Sequence, residues 1–182
     1  MQKGNFYLFF GADNPLSNWH PARFVVKGKT FEHNEMFLMY CKAMLFGDLE
    51  TAEKILAAPT PKECKRLGRE VTPFDEAVWV AKREFYNYYG ALHKFQQNPQ
   101  MAEFLLLTGD LELVEASKYD RIWGVGLDAA SPSIVHRRLW LGTNLHGIGT
   151  QRVRDELRAA VPLNQQRPHD HTTRNDLARA QA

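Results

Sequence analysis

Cysteine is nearly absent from this chain: Cys41 and Cys64 are the only two. They stand far apart in helix-like stretches, so no disulfide framework is expected, and the reading is two reduced thiols in a cytoplasmic protein. A Cys–His nucleophilic arrangement is the alternative. Long apolar runs are missing too. No stretch reaches the roughly eighteen residues a membrane helix needs, so no membrane partner is expected. Charge of one sign is not in excess: the net charge is +2 over 182 residues. That gives no global case for a polyanion partner and leaves a local anion site open. Internal repeats and heptads are absent. The Gly124–Gly126 triplet lacks the strand–GxGxxG–helix setting of a dinucleotide fingerprint. His169, Asp170 and His171 adjoin one another without a third, distant partner, so no metal site is expected. The N-terminal MQKGNFYLFFGADNP has no small-residue cleavage pattern and reads as a strand.

What is present is a globular composition, 44% hydrophobic and 24% charged, sized for one domain with a real core. We expect that domain over 1–161. The polar segment 162–182, without a core stripe, reads as a disordered or extended tail. Phe6–Phe10 is a short aromatic strand. The loop after it carries Asn18 and Trp19, which either offer an amide and a flat ring to a planar ligand or serve the local turn and core. Arg23–Phe31 reads as two short strands around a turn at Lys27–Lys29.

The helix that follows carries the first chemical signal. It starts near Asn34, a reasonable cap, and ends at Gly47. Glu35, Met39, Lys42 and Phe46 recur at helical spacing, so an acid and a base look out from one face. The other reading of Glu35 and Lys42 is a pair tied to structural charges. Asp48 caps a second helix. In TPKECKRLG, Thr60 caps, Pro61 fits the first turn and Gly68 marks a stop. Lys62, Lys65, Arg66 and Arg69 make a basic cluster, either a phosphate clamp or a solvated face. Lys62, Arg66 and Arg69 have the spacing of one face.

Pro73–Gln97 reads as the longest helix, with Phe74, Val78, Phe85, Leu92 and Phe95 at core-like intervals. Gly90 argues against an unbroken run. Trp79 and Arg83, four apart, are spaced to pair. After a short helix at 101–107 and a strand at Glu112–Ala116 comes SKYDRIWGVGL. There Asp120, Trp123 and Gly124 fall where a strand gives way to irregular backbone, facing a cleft or serving a loop cap. Asn144 caps the last helix or presents a ligand amide.

Six segments together resemble the YbiA-like, or NADAR, proteins. They are FYLFFGADNPLSNWHPARF, GKTFEHNEMFLMYCKAMLFGD, ILAAPTPKECKRLGREV, VWVAKREFYNYYGALHKFQQNP, LLLTGDLELVEASKYDRIWGVGL and WLGTNLHGIGTQRVRDELR. They come in the family's order and span roughly residues 5–160. The resemblance implies an α+β fold, a single compact, mostly helical domain with a small β-sheet. It also implies an N-glycosidase without cofactor. The implied substrate is a phosphorylated riboside, either a riboflavin-pathway intermediate or an ADP-ribose-type ligand, with ADP-ribosylated guanine in DNA as a further target. A non-catalytic ADP-ribose reader is the competing function.

Residue by residue, the resemblance places Glu35 at the family glutamate. Met36 stands where many members have His, which puts substrate choice in doubt. Lys42 falls at the family's helix lysine, a Schiff-base nucleophile in some members. Lys65, Gly68 and Arg69 match a Lys-x-x-Gly-Arg element. Trp79 and Arg83 match Trp-x-x-x-Arg, and Asp120, Trp123 and Gly124 match Asp-x-x-Trp-Gly. Glu35, Asp120 and Lys42 are thus the expected catalytic residues. Asn18, Trp19, Lys65, Arg69, Trp79, Arg83, Trp123, Gly124 and Asn144 are expected to bind substrate. Cleaving an N-ribosyl bond builds positive charge on the sugar and negative charge on the base, which suits two carboxyls, stacking rings and phosphate-binding cations.

Overall fold

Two four-residue strands pair in parallel: β2 (Phe6–Phe9) and β5 (Glu112–Glu115), with Phe6 opposite Glu112 and Phe9 opposite Glu115. A short β1 (Gln2–Lys3) adds antiparallel to β2. This computed structural model describes residues 1–160; the segment 162–182, read above as a tail, lies outside them. Parallel strands need a crossover, and here about a hundred residues make it. As a result both strands finish at the same end of the sheet. The loop carrying Trp19 leaves from one, and the loop carrying Asp120 leaves from the other.

The crossover contains a hairpin and five helices. β3 (Phe24–Val26) and β4 (Lys29–Phe31) meet through Lys27 and Gly28, both with positive φ, as a two-residue hairpin turn matched to strand twist requires. The helices are α1 (Asn34–Leu45), α2 (Leu49–Leu56), α3 (Pro61–Glu70), α4 (Glu76–Gln97) and α5 (Pro99–Leu107). After β5 come two 3-10 turns (Pro132–Val135, Arg137–Leu139) and then α6 (Leu145–Ala160).

Asp48, Thr60 and Asp75 each cap a helix by accepting the backbone N–H three residues on, contributing about 1 kcal/mol apiece. The cap of α1 corrects the expectation. It is His33, whose Nδ1 accepts from the Met36 N–H at 3.0 Å, while Asn34 is the first helical residue and turns its amide inward. Gly68 is not the stop expected of it, and Gly90 does not interrupt its helix. Gly68 lies inside α3, and Gly90 inside an unbroken α4. A Cβ at Gly68 would strike Met39, and one at Gly90 would strike Asn34 and Phe37. Both glycines exist so that α3 and α4 can press against α1.

Alternation along β2 and β5 divides the interior. Tyr7, Phe9 and Leu113 face a core shared with α4, α5 and α6, including Phe95, Phe104 and Val153. Leu8 and Val114 face a smaller one with Val125 and Ile134. The third core joins α1, α2, α3 and the hairpin. Not all of the α4 aromatics are interior. Phe95 is 1% exposed, whereas Phe85 is 54% exposed, and Phe74 and Val78 are also open. A helix of this length spans about 33 Å and outruns the layers beneath it at its N-terminal half.

Candidate active site

The first turn of α1 is pinned to the loop after β2. The Glu35 N–H donates to the Asn18 carbonyl at 2.9 Å. Beneath lies a buried polar network. The Asn18 amide donates to Asn87 Oδ1 and accepts from Asn34, both at 2.7 Å. Asn87 Nδ2 lies 3.1 Å from His146 Nδ1, and His146 Nε2 lies 2.8 Å from the Leu16 carbonyl. A carbonyl can only accept, so Nε2 carries the proton and Nδ1 accepts from Asn87. Burial drives the His146 pKa down to about 4 and keeps the ring neutral. The Lys94 ammonium, also buried, donates to the carbonyls of Pro15 and Ser17. These groups sit far apart in sequence and hold one loop in one place.

That loop delivers Trp19. Its indole N–H donates to Glu35 Oε2 at 3.2 Å. Glu35 is 5% exposed, and burial pushes its pKa up to about 7. Lys65, the Trp19 hydrogen bond and Arg69 oppose that rise, while Asp120 adds to it. From the other strand end comes Asp120. Its Oδ1 accepts the N–H groups of Ile122 and Trp123 at 3.0 and 2.8 Å, and Oδ2 lies 3.3 Å from Lys65 Nζ. Burial works to raise the Asp120 pKa, but these donors outweigh it and hold the group below the usual carboxylate range. α1, α3 and the post-β5 loop therefore bring Glu35, Lys65 and Asp120 into one electrostatic cluster, with Arg69 exposed at its margin.

The basic cluster of α3 splits in two. Arg66 pairs with Glu63 and Glu70 on the outer surface, and Lys62 is exposed. Lys65 and Arg69, one turn apart, are the two that bear on Glu35. Lys42 lies two turns along α1 from Glu35. Its Nζ donates to the Gly68 carbonyl at 2.7 Å and sits 4.2 Å from the Phe74 ring centre and 5.6 Å from that of Trp79. Burial lowers its pKa, and Glu76 works against that. Trp79 and Arg83 do not pair. Trp79 stacks with Tyr86, and Arg83 approaches Glu76 at 4.0 Å.

Two residues expected to offer amides to a ligand are committed to the framework. Asn18 serves the network above. Asn144, buried, accepts from the Glu115 N–H at 3.0 Å and donates to the Leu113 carbonyl at 2.9 Å, which ties α6 to β5. Gly124 lies so close to the Glu115 carbonyl that a Cβ would intrude at 2.9 Å. Trp123, half-buried, packs on the α1 core. Sequence reading passed over Asn87, Lys94, His146 and Glu115, and only the pairing of distant segments reveals them.

The NADAR domain family model matches residues 8–158. The chain belongs to the NADAR domain family. Two relatives illustrate the range. The chain is 33% identical over 167 residues to "N-glycosidase R617" of Acanthamoeba polyphaga mimivirus, covering 86% of this chain and 98% of that one. It is 34% identical over 149 residues to "Riboflavin biosynthesis protein VVA0006" of Vibrio vulnificus, covering 82% of this chain and 37% of that longer protein. Among solved structures, that of the E. coli protein YbiA superposes with a TM-score of 0.71 at 23% identity, covering 94% of each chain. At that identity the likeness speaks for the fold, the α+β domain dominated by helices.

The arrangement these elements build is a carboxyl cluster with cations and an indole around it. Among the described residues no group of three or more His, Cys, Asp or Glu is arranged to hold a metal ion. No described helix is long and apolar enough to cross a membrane. The cluster can activate water, stabilise a cationic sugar and hold an anion. A buried carboxyl near pH 7 is matched to proton transfer at neutral pH.

Proposed function

We propose that this protein hydrolyses the N-glycosidic bond of a phosphorylated riboside. Its activity class is that of its family relatives: it is an N-glycosidase, a hydrolase acting on N-glycosyl bonds. The observation that carries the site assignment is Glu35, buried, hydrogen-bonded to Trp19 and poised near pH 7 beside Lys65. In its ionised form Glu35 takes a proton from water or faces the cationic sugar carbon. Asp120 stays ionised and orients Lys65. Lys65, Arg69 and Arg83 bind the phosphate or diphosphate, and Trp19, Trp79 and Trp123 offer rings to the base.

The substrate class is a riboflavin-pathway intermediate or an ADP-ribose-type ligand. The name of the Vibrio relative favours the first. Lys42 is the candidate nucleophile toward the sugar carbon. Its bond to the Gly68 carbonyl and its place over two rings favour the ammonium form, which suits holding an anion or positioning α3. A panel of N-ribosides, with mass detection of released base and of a borohydride-trapped lysine adduct, tests both points. Free base without an adduct supports hydrolysis by carboxyl chemistry; an adduct on Lys42 assigns the nucleophile. A second reading, a non-catalytic ADP-ribose module, draws on Met36, which fills core space where the family resemblance places a histidine. Saturable ADP-ribose binding by calorimetry with no product from any riboside would favour it.

A further inference from the structure

Loss of a base from a riboside leaves an electron pair on the departing nitrogen, and that nitrogen must gain a proton. Asp120 is poorly suited to give one. Both of its oxygens are engaged by donors, two backbone N–H groups on Oδ1 and Lys65 on Oδ2. Such a carboxyl is an anion that carries no proton to transfer.

Glu115 is its opposite. It ends β5 at the end of the sheet from which the Asp120 loop departs. Its Oε2 is shut off from solvent and has no hydrogen-bond partner among the described residues. The backbone beside it is fixed. The Glu115 N–H donates to Asn144 Oδ1, and its carbonyl accepts from Ser117 and Val125 at 2.9 and 3.1 Å. The side chain therefore cannot leave with its strand. The charged groups that bear on it are Asp120 of the following loop, Lys65 of α3 and Glu35 of α1. Burial and Asp120 raise its pKa to about 8, with Lys65 opposing and Glu35 adding to the rise. Adjacent carboxyls whose surroundings push them apart, one held ionised and one held neutral, divide into a charge stabiliser and an acid. An unpartnered buried oxygen calls for such an account.

We propose that Glu115 is the general acid of this site, giving its proton to the departing base while Glu35 takes one from the attacking water. This rests on the N-glycosidase reading above. The bond from the sugar carbon to the base nitrogen breaks, and its electron pair goes to nitrogen, which takes the Glu115 proton. Water oxygen bonds to the sugar carbon and its proton passes to Glu35. The products are the free base and the sugar hemiacetal. Proton exchange with solvent then returns both carboxyls to their starting forms.

The test compares two substrates with Glu115→Gln, a neutral variant of the same shape. A riboside whose base leaves from a neutral nitrogen needs the acid, so kcat/KM should fall about 10²–10⁴-fold. A pyridinium riboside releases a neutral base without taking a proton, so its turnover should stay close to wild type. Equal loss on both substrates, or loss on neither, overturns the acid assignment. Glu115→Asp keeps an acid and should recover part of the selective loss; failure to do so while E115Q remains folded counts against it. Carbon-13 carboxyl titration of the full chain should show Glu115 protonated at pH 7, and an ionised Glu115 there overturns the assignment. Wild-type protein inactive on every N-riboside removes the glycosidase reading and the acid with it. Active wild type with an unselective E115Q removes the acid alone.

Discussion

Glu35 and Lys42 lie on one face of one helix, yet their surroundings are opposites. Glu35 occupies the first turn, where the loops from β2 and β5 converge and where Lys65, Asp120 and Arg69 bear on it. Lys42 sits two turns on, between the Gly68 carbonyl and the rings of Phe74 and Trp79, at the end of the molecule where α4 runs out past the core. The first turn is fixed by buried polar contacts with the loop after β2 and with α4, and through Asn87 with α6. The Lys42 amine is held by one carbonyl and two rings, of which Phe74 is itself exposed. Sharing a helix face is thus weak grounds for sharing a chemical step. What decides is which other elements reach each turn.

Substitutions can break that comparison, beginning with the largest effect. Glu35→Gln should abolish turnover, with kcat/KM down by at least about 10³-fold and the circular dichroism spectrum unchanged. Asn87→Leu should come next. It strips the amide that joins Asn18, Asn34 and His146 and leaves buried groups unpaired, at a cost of about 3 kcal/mol in denaturant unfolding. Activity should fall with it, because Trp19 and Glu35 lose their support. Lys42→Met keeps the packing and removes the charge. If Lys42 holds an anion rather than attacking carbon, KM should rise about tenfold with kcat little changed, whereas loss of kcat alone would move Lys42 to the first-turn chemistry.

A smaller effect concerns stability and pH. The folded protein raises the Glu35 pKa from an ordinary carboxyl value to about 7. The neutral form is therefore the one that folding favours. The stability it contributes is full below the unfolded pKa and is lost as pH rises through about 7, on the order of 3 kcal/mol across that window. Glu35→Gln should consequently be more stable than wild type at pH 8 and nearly equal at pH 4, as read by thermal melts at the two pH values. Equal melts at pH 8 would mean that Glu35 is better solvated than its 5% exposure implies.

Parts of this arrangement were legible in the sequence for physical reasons that can be named. Helical spacing put Glu35 on an inward face, and the Asp120–Gly124 stretch stood out because a strand broke there into permissive backbone. The family resemblance then linked Lys65 and Arg69 to the same site. What stayed hidden depends on pairing across the chain. Glu115 lies within a short alternating segment, and nothing local marks that its Oε2 is buried. Asn87, Lys94 and His146 sit among apolar helix residues, and their partners lie 53 to 130 positions away. Gly68 and Gly90 carried the signature of helix breaks, yet both mark a close approach to α1. Phe85 followed the core period of α4, but periodicity cannot say where the neighbouring layers end.

The central claim is that the carboxyl of the first turn, not the amine of the third, performs the proton transfer at neutral pH. Its most direct test is the pH dependence of kcat/KM for a phosphorylated N-riboside, measured on wild type, Glu35→Gln and Lys42→Met. The expected result is a wild-type acid limb with an apparent pKa near 7, the same limb in the Lys42 variant, and its disappearance with the bulk of the rate in the Glu35 variant. A Glu35 variant that keeps both the rate and the limb would contradict the account.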